Sequence, residues 1–130
     1  MGGPGEGIES SVPEFLRVNL HVHSQLSDGD VAPAQLAERL AAGGARAAAL
    51  TDHDTVEGLP AFREAARRKG VGFVTGVELT VIDHEAGEKH ILGYGFDPEN
   101  KPLKALLARS TPRSVSPADA IRVLHDAGGL

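Results

Sequence analysis

Residues 47–79 read AAALTDHDTVEGLPAFREAARRKGVGFVTGVEL, and the reading of this stretch decides the fold. Its first residues, Ala47 to Thr51, are a short apolar run of the kind that forms a buried strand. Thr55 to Gly58 is a turn. A helix follows from about Leu59 to Lys69, with Pro60 near its start, where a missing N–H costs little, and Gly70 just past its end. Leu59, Phe62 and Ala66 fall on its inner face. Val71 to Leu79 is the next strand. A strand, a helix and a strand at this spacing predict parallel pairing through a right-handed crossover.

The same grammar extends both ways. Arg17 to His23 alternates, with Val18, Leu20 and Val22 on one face and Asn19, His21 and His23 on the other, which predicts a strand of period two. Asp28-Gly29-Asp30 is a loop. Pro33 opens a helix whose stripe is Leu36, Ala37, Leu40 and Ala41, and Gly43-Gly44 stops it. Downstream, Leu79 to Asp83 and Lys89 to Phe96 predict two strands joined by the polar turn His84 to Glu88, a hairpin or an excursion near the sheet top. Leu103, Leu106 and Leu107 predict a short helix. Arg109 to Ser116 is a Ser/Pro/Arg linker, and Pro117 to Ala127 a last helix with Ala120, Ile121 and Leu124 apolar. Residues 1–14, rich in Gly, read as a flexible tail, and residues 15–130 as one α/β domain.

Composition narrows the function. Of 130 residues, 41% are hydrophobic and 24% charged, a globular balance, and aromatics are 4% with no Trp, so the core is built from Ala, Val, Leu and Ile. Lys plus Arg is 13 against 18 Asp plus Glu, a net charge of −5. Such a chain is a poor general binder of nucleic-acid backbone or anionic membrane, and no extended nucleic-acid surface is evident. Phosphates can still be handled locally if metal ions supply the positive charge. Cys is 0, so there is no thiolate metal site and no disulfide framework, which fits a cytoplasmic setting. No apolar run approaches a membrane span, and the N-terminus lacks the pattern of a secretory signal.

The residues able to hold metal are His21, His23, Asp28, His53, Glu78 and His90. On the strand reading His21 and His23 lie at the carboxyl end of the first strand, His53 directly follows the second, and Glu78 ends the third. Sites of parallel α/β sheets sit at that edge. Singly, each residue has an ordinary explanation: surface or core histidines, Asx turns for the acids of Thr51-Asp52-His53-Asp54, a strand-end acid for Glu78. The agreement of order and strand position favours a site. A mixed imidazole and carboxylate set suits Zn²⁺, Mn²⁺ or Fe. His84, in a polar turn, and His125, in the last turn of the final helix, read as solvated.

Five stretches resemble the PHP (polymerase and histidinol phosphatase) family. They are Asn19-Leu20-His21-Val22-His23-Ser24, Ser27-Asp28-Gly29, Thr51-Asp52-His53-Asp54-Thr55, Gly76-Val77-Glu78 and His90-Ile91-Leu92-Gly93. The Thr-Asp-His-Asp-Thr form is similar to the branch of small nucleotide phosphoesterases. The resemblance implies a distorted, TIM-like (β/α)7 barrel of parallel strands, here its N-terminal half, with up to three divalent ions at its mouth. It implies one ion on His21, His23 and Glu78, a second bridged by Glu78 and shared with His90, and a third served by Asp28 and His53. It places Asp52 and Asp54 behind His53, orienting its ring. Asn19 stands where the family usually has Asp. The Ala-His-Pro and Asp-x-His ligands of the family's later strands are not among these residues, from which we expect the chain alone to be a weak or inactive hydrolase. The implied reaction is hydrolysis of phosphate esters of nucleotides or short oligonucleotides by a metal-activated water. The rival readings are a non-catalytic metal-binding remnant or fragment of a longer PHP protein, and a metal-independent structural domain. A metal-dependent amidohydrolase also begins with His-x-His, but Thr-Asp-His-Asp and Gly-Val-Glu fit it poorly.

Overall fold

The structure, a computed structural model, describes residues 17–108 and 115–128. The expected tail 1–14 and most of the linker 109–116 lie outside them. Among the described residues four strands and four helices follow in the order β1 (Val18–Val22), α1 (Pro33–Ala42), β2 (Ala47–Leu50), α2 (Leu59–Arg68), β3 (Gly72–Asp83), β4 (Gly87–Tyr94), α3 (Lys101–Leu107) and α4 (Pro117–Ala127). They make a mixed α/β fold around one sheet of order β1-β2-β3-β4. β1 pairs with β2, and β2 with β3, in parallel, as the two crossover helices require.

Two expectations are corrected. The family resemblance implied parallel strands throughout, but β4 runs antiparallel to β3, the hairpin alternative of the sequence reading. The reason is the connection, since only residues 84–86 separate them, far too few for a crossover. Nor does β3 stop at Leu79. It continues through Thr80, Val81 and Ile82, a β-branched run with no breaker, to Asp83. There the Asp83 carboxylate turns the chain by accepting from the N–H groups of Glu85 (2.8 Å) and Ala86 (3.0 Å). What the described residues form is a curled four-stranded half-barrel; the complete (β/α)7 barrel is not shown.

The helices share one face. Along β3, Val77, Leu79 and Val81 are fully buried against them, with Phe62, Ala65 and Ala66 of α2 and Ala120 of α4. Phe62 stacks at a tilt on Phe73, ring centroids 6.1 Å apart. Gly93 of β4 lets α4 approach, because a Cβ there would lie 2.7 Å from Leu124 Cδ1. Alternation along β3 puts Glu78 on the opposite, helix-free face, with His90 of β4 beside it in the ladder, opposite Thr80.

Candidate metal centre

Each element delivers its side chain to one edge. β1 carries a register irregularity: Asn19 pairs with Ala48, but Val22 pairs with Leu50. Three steps on β1 thus pass two on β2, a bulge that takes in Leu20 and His21 and lies just before His23. After β2 ends, residues 52–54 keep pairing with β3: Glu78 N–H donates to Asp52 O (3.0 Å), Asp54 N–H donates to Glu78 O (2.9 Å), and His53 bridges Glu78 in parallel. This extension brings the His53 ring to Glu78.

Glu78 is the hub. It is only 6% exposed. Its Oε1 lies 2.9 Å from His21 Nε2, 2.7 Å from His23 Nε2 and 3.8 Å from His53 Nε2, and its Oε2 lies 3.5 Å from His90 Nδ1. Burial pushes the Glu78 carboxyl up. Hydrogen bonds from His21 and His23 and the fields of His53 and His21 outweigh it, and the group sits below the usual carboxylate range. Asp28 is the second acid. Its Oδ1 is 2.6 Å from His23 Nδ1 and its Oδ2 3.3 Å from His53 Nε2. His23 therefore spans the two carboxylates with its two ring nitrogens.

The donors fall into three overlapping groups whose ligand atoms all lie within 4.8 Å of one another: His21, His23 and Glu78; His23, Asp28 and His53; His53, Glu78 and His90. All six predicted residues are thus brought together. The arrangement fits divalent ions: neutral imidazoles and ionised carboxylates are the donors that Zn, Mn and Fe take. His84 lies exposed in the turn after β3, and His125 lies on α4, its Nδ1 3.5 Å from Asp126 Oδ1.

Asp52 and Asp54 are placed differently from the expectation that they orient His53. Asp52, 1% exposed, accepts from Ser24 N–H (2.6 Å), Ser24 Oγ–H (2.6 Å) and Ser27 Oγ–H (2.7 Å). It clamps the turn between His23 and Asp28, not the His53 ring. That turn is closed by Gly29, whose N–H donates to Ser24 O (2.8 Å); a Cβ there would fall 2.2 Å from His23 O. Asp54 accepts from Thr80 N–H (2.8 Å) while holding φ at 55°, a conformation that Asp tolerates better than most residues. Sequence reasoning gave no role to Ser24, Ser27 or Glu88. The signal for Glu88 was present: two residues before His90 on a strand, it shares that face, and its Oε2 lies 3.2 Å from His90 Nε2.

A half-barrel with a strand-end cluster of imidazoles around one buried carboxylate defines a metal-centre class of α/β protein. The comparisons agree. The family model of the PHP domain matches residues 19–113. The chain is 46% identical over 94 residues to a phosphoribosyl 1,2-cyclic phosphate 1,2-diphosphodiesterase of Eggerthella lenta, covering 72% of this chain and 36% of that one. It is 41% identical over 88 residues to a 3′,5′-nucleoside bisphosphate phosphatase of Chromobacterium violaceum, covering 68% and 30%. A solved structure of an amidohydrolase from Chromobacterium violaceum, with bound sulfate, superposes with TM-score 0.68 at 29% identity over 88% of this chain and 51% of that one. The chain belongs to the PHP family. It spans about a third of the length of these two curated relatives.

Proposed function

We propose that this chain forms the metal-binding wall of a phosphoesterase that hydrolyses phosphate esters of nucleotides or short oligonucleotides. The observation that carries the reading is Glu78, one buried carboxylate approached by four imidazoles. His21, His23 and Glu78 would hold one ion, Glu78 and His90 a second, and Asp28 and His53 a third. The ions, Mn, Zn or Fe, would supply Lewis acidity and an activated water, and offset phosphate charge on a chain of net charge −5.

The protein's own part is preparation. Burial alone would favour the neutral acid of Glu78; the contacts from His21, His23 and His53 outweigh it and favour the carboxylate, the form that binds metal. When Nε2 of His23 serves an ion, its Nδ1–H faces Asp28, which fixes the tautomer and the ring plane. Hydrolysis breaks the bond from phosphorus to the ester oxygen and forms one to the oxygen of water; the alcohol leaves with a proton. The relatives named for a cyclic phosphate and a nucleoside bisphosphate support a small phosphorylated substrate. Among the described residues no helix is long and apolar enough to cross a membrane.

The test is phosphoester hydrolysis with Mn²⁺ or Zn²⁺ added, followed by ³¹P NMR: inorganic phosphate from a nucleoside 3′,5′-bisphosphate, a ring-opened monoester from a ribose cyclic phosphate, and a mononucleotide from a short oligoribonucleotide. Turnover that disappears in Glu78→Gln supports the proposal. Because this chain alone is expected to turn over weakly, the assay is run beside a version extended to carry the family's later ligands; stoichiometric metal binding with no turnover by either points instead to a metal-binding module without catalysis.

A further inference from the structure

We infer that Tyr94 is a positioning residue for the metal centre: its hydroxyl sets the peptide unit from which His21 is hung. Tyr94 ends β4, at one edge of the sheet, and donates to the carbonyl of Leu20 on β1, at the other edge, 2.5 Å away and 74 residues apart in sequence. In a flat sheet these edges would stand about 14 Å apart, three strand spacings, beyond the reach of one side chain. The curl of the half-barrel closes the gap, and the phenol crosses the helix-free face. Opposite Tyr94 in the ladder is Gly76, which has no side chain to crowd the ring.

The acceptor is in an informative place. Leu20 and His21 lie within the β1 bulge, between the ladder pairs Asn19↔Ala48 and Val22↔Leu50. The carbonyl of Leu20 and the N–H of His21 belong to one peptide unit. Tyr94 holds its oxygen, and the Asn19 side chain accepts from its N–H at 3.2 Å. Two side chains thus fix the plane of a peptide where the ladder register slips, and that plane aims the Cα–Cβ bond of His21 at Glu78. Burial and the nearby Glu78 charge push the phenol's pKa up, which keeps the proton it donates. No reading of the sequence singled out Tyr94.

This rests on the metal-centre reading, and the test separates the two. Tyr94→Phe removes the hydroxyl and keeps the ring. In metal-free protein, long-range ¹H–¹⁵N spectra of the imidazoles are expected to show the His21 ring shifted and broadened, with His90 unmoved. Mn²⁺ or Zn²⁺ titration by calorimetry is expected to show about tenfold weaker binding, the size typical when a ligand's outer support is removed. In a His21→Ala background the same change is expected to have no further effect. An unshifted His21 ring overturns the inference, as does equal loss of affinity in both backgrounds, which would mark a general structural role. A parent chain that takes up no metal would defeat the metal reading, while the metal-free spectra still decide the strut.

Discussion

Replacing Asp52 by Ala tests how the centre is held together. The carboxylate is 1% exposed and accepts three hydrogen bonds, two of them from Ser24, which is wholly buried. Hydrogen bonds to a charged group contribute about 1.5–3 kcal/mol each, and a buried donor left without a partner costs about 1–3 kcal/mol. Three bonds sharing one carboxylate do not add. With Ser24 stranded and Ser27 free to turn to water, we expect a net loss of about 3 kcal/mol. For a domain of this size that lowers Tm by about 11–14 °C. Asp52→Asn keeps the shape and one acceptor oxygen, while its amide can donate to the Ser24 hydroxyl; about 1–2 kcal/mol is expected. Thermal unfolding followed by circular dichroism gives the Tm, and hydrogen exchange reports the Ser24 amide directly. Should Asp52→Ala melt within about 3 °C of the parent and leave the Ser24 amide slow to exchange, the clamp is not what holds this turn.

Other perturbations follow from the same contacts. Phe62→Ala, at a site with no exposure, is expected to cost about 3–5 kcal/mol in urea unfolding; a loss below about 1 kcal/mol would mean the core is not packed as described. At Asp54, where φ is 55°, Asp54→Asn should be nearly neutral and Asp54→Ala should lose about 1–2 kcal/mol, keeping the strain and losing the Thr80 bond; equal stabilities would remove that role. The Asp83 carboxyl lies below its ordinary value because the N–H groups of Ala86 and Glu85 donate to it. Its folded pKa being lower than its unfolded one, its contribution is full above the unfolded value of about 3.9 and is lost as pH falls through the folded value. The Glu85 and Ala86 amide resonances should move in that acid window in the parent and stay still in Asp83→Asn.

Much of this was legible from local pattern. Pro33, Pro60 and Gly43-Gly44 mark helix ends by backbone rules that hold wherever the helix packs, and α1 and α2 begin at Pro33 and Leu59. That His53 and Glu78 lie on neighbouring parallel strands follows from strand order, but Glu78 sits within β3, and it is the continued pairing of residues 52–54 past the end of β2 that brings them together. Contacts made by chain paths were not legible. Asp52 reads as a neighbour of His53, yet its partners depend on how residues 24–29 fold back, and nothing in their composition specifies that. The reach of Tyr94 to Leu20 depends on sheet curl and on a one-residue bulge, neither of which alternation encodes. The direction of β4 was left open by the sequence, since a hairpin and an excursion share the same polar turn.

The measurement that tests the central claim most directly is metal content and affinity of the chain, by elemental analysis and by Mn²⁺ and Zn²⁺ calorimetry, beside Glu78→Gln. Because Glu78 is approached by His21, His23, His53 and His90, its loss should empty more than one group of ligands at once. We predict at least one bound ion per parent chain and a fall in affinity of about a hundredfold or more in the variant. A parent that binds no divalent ion, or a variant that binds as well as the parent, would contradict the account.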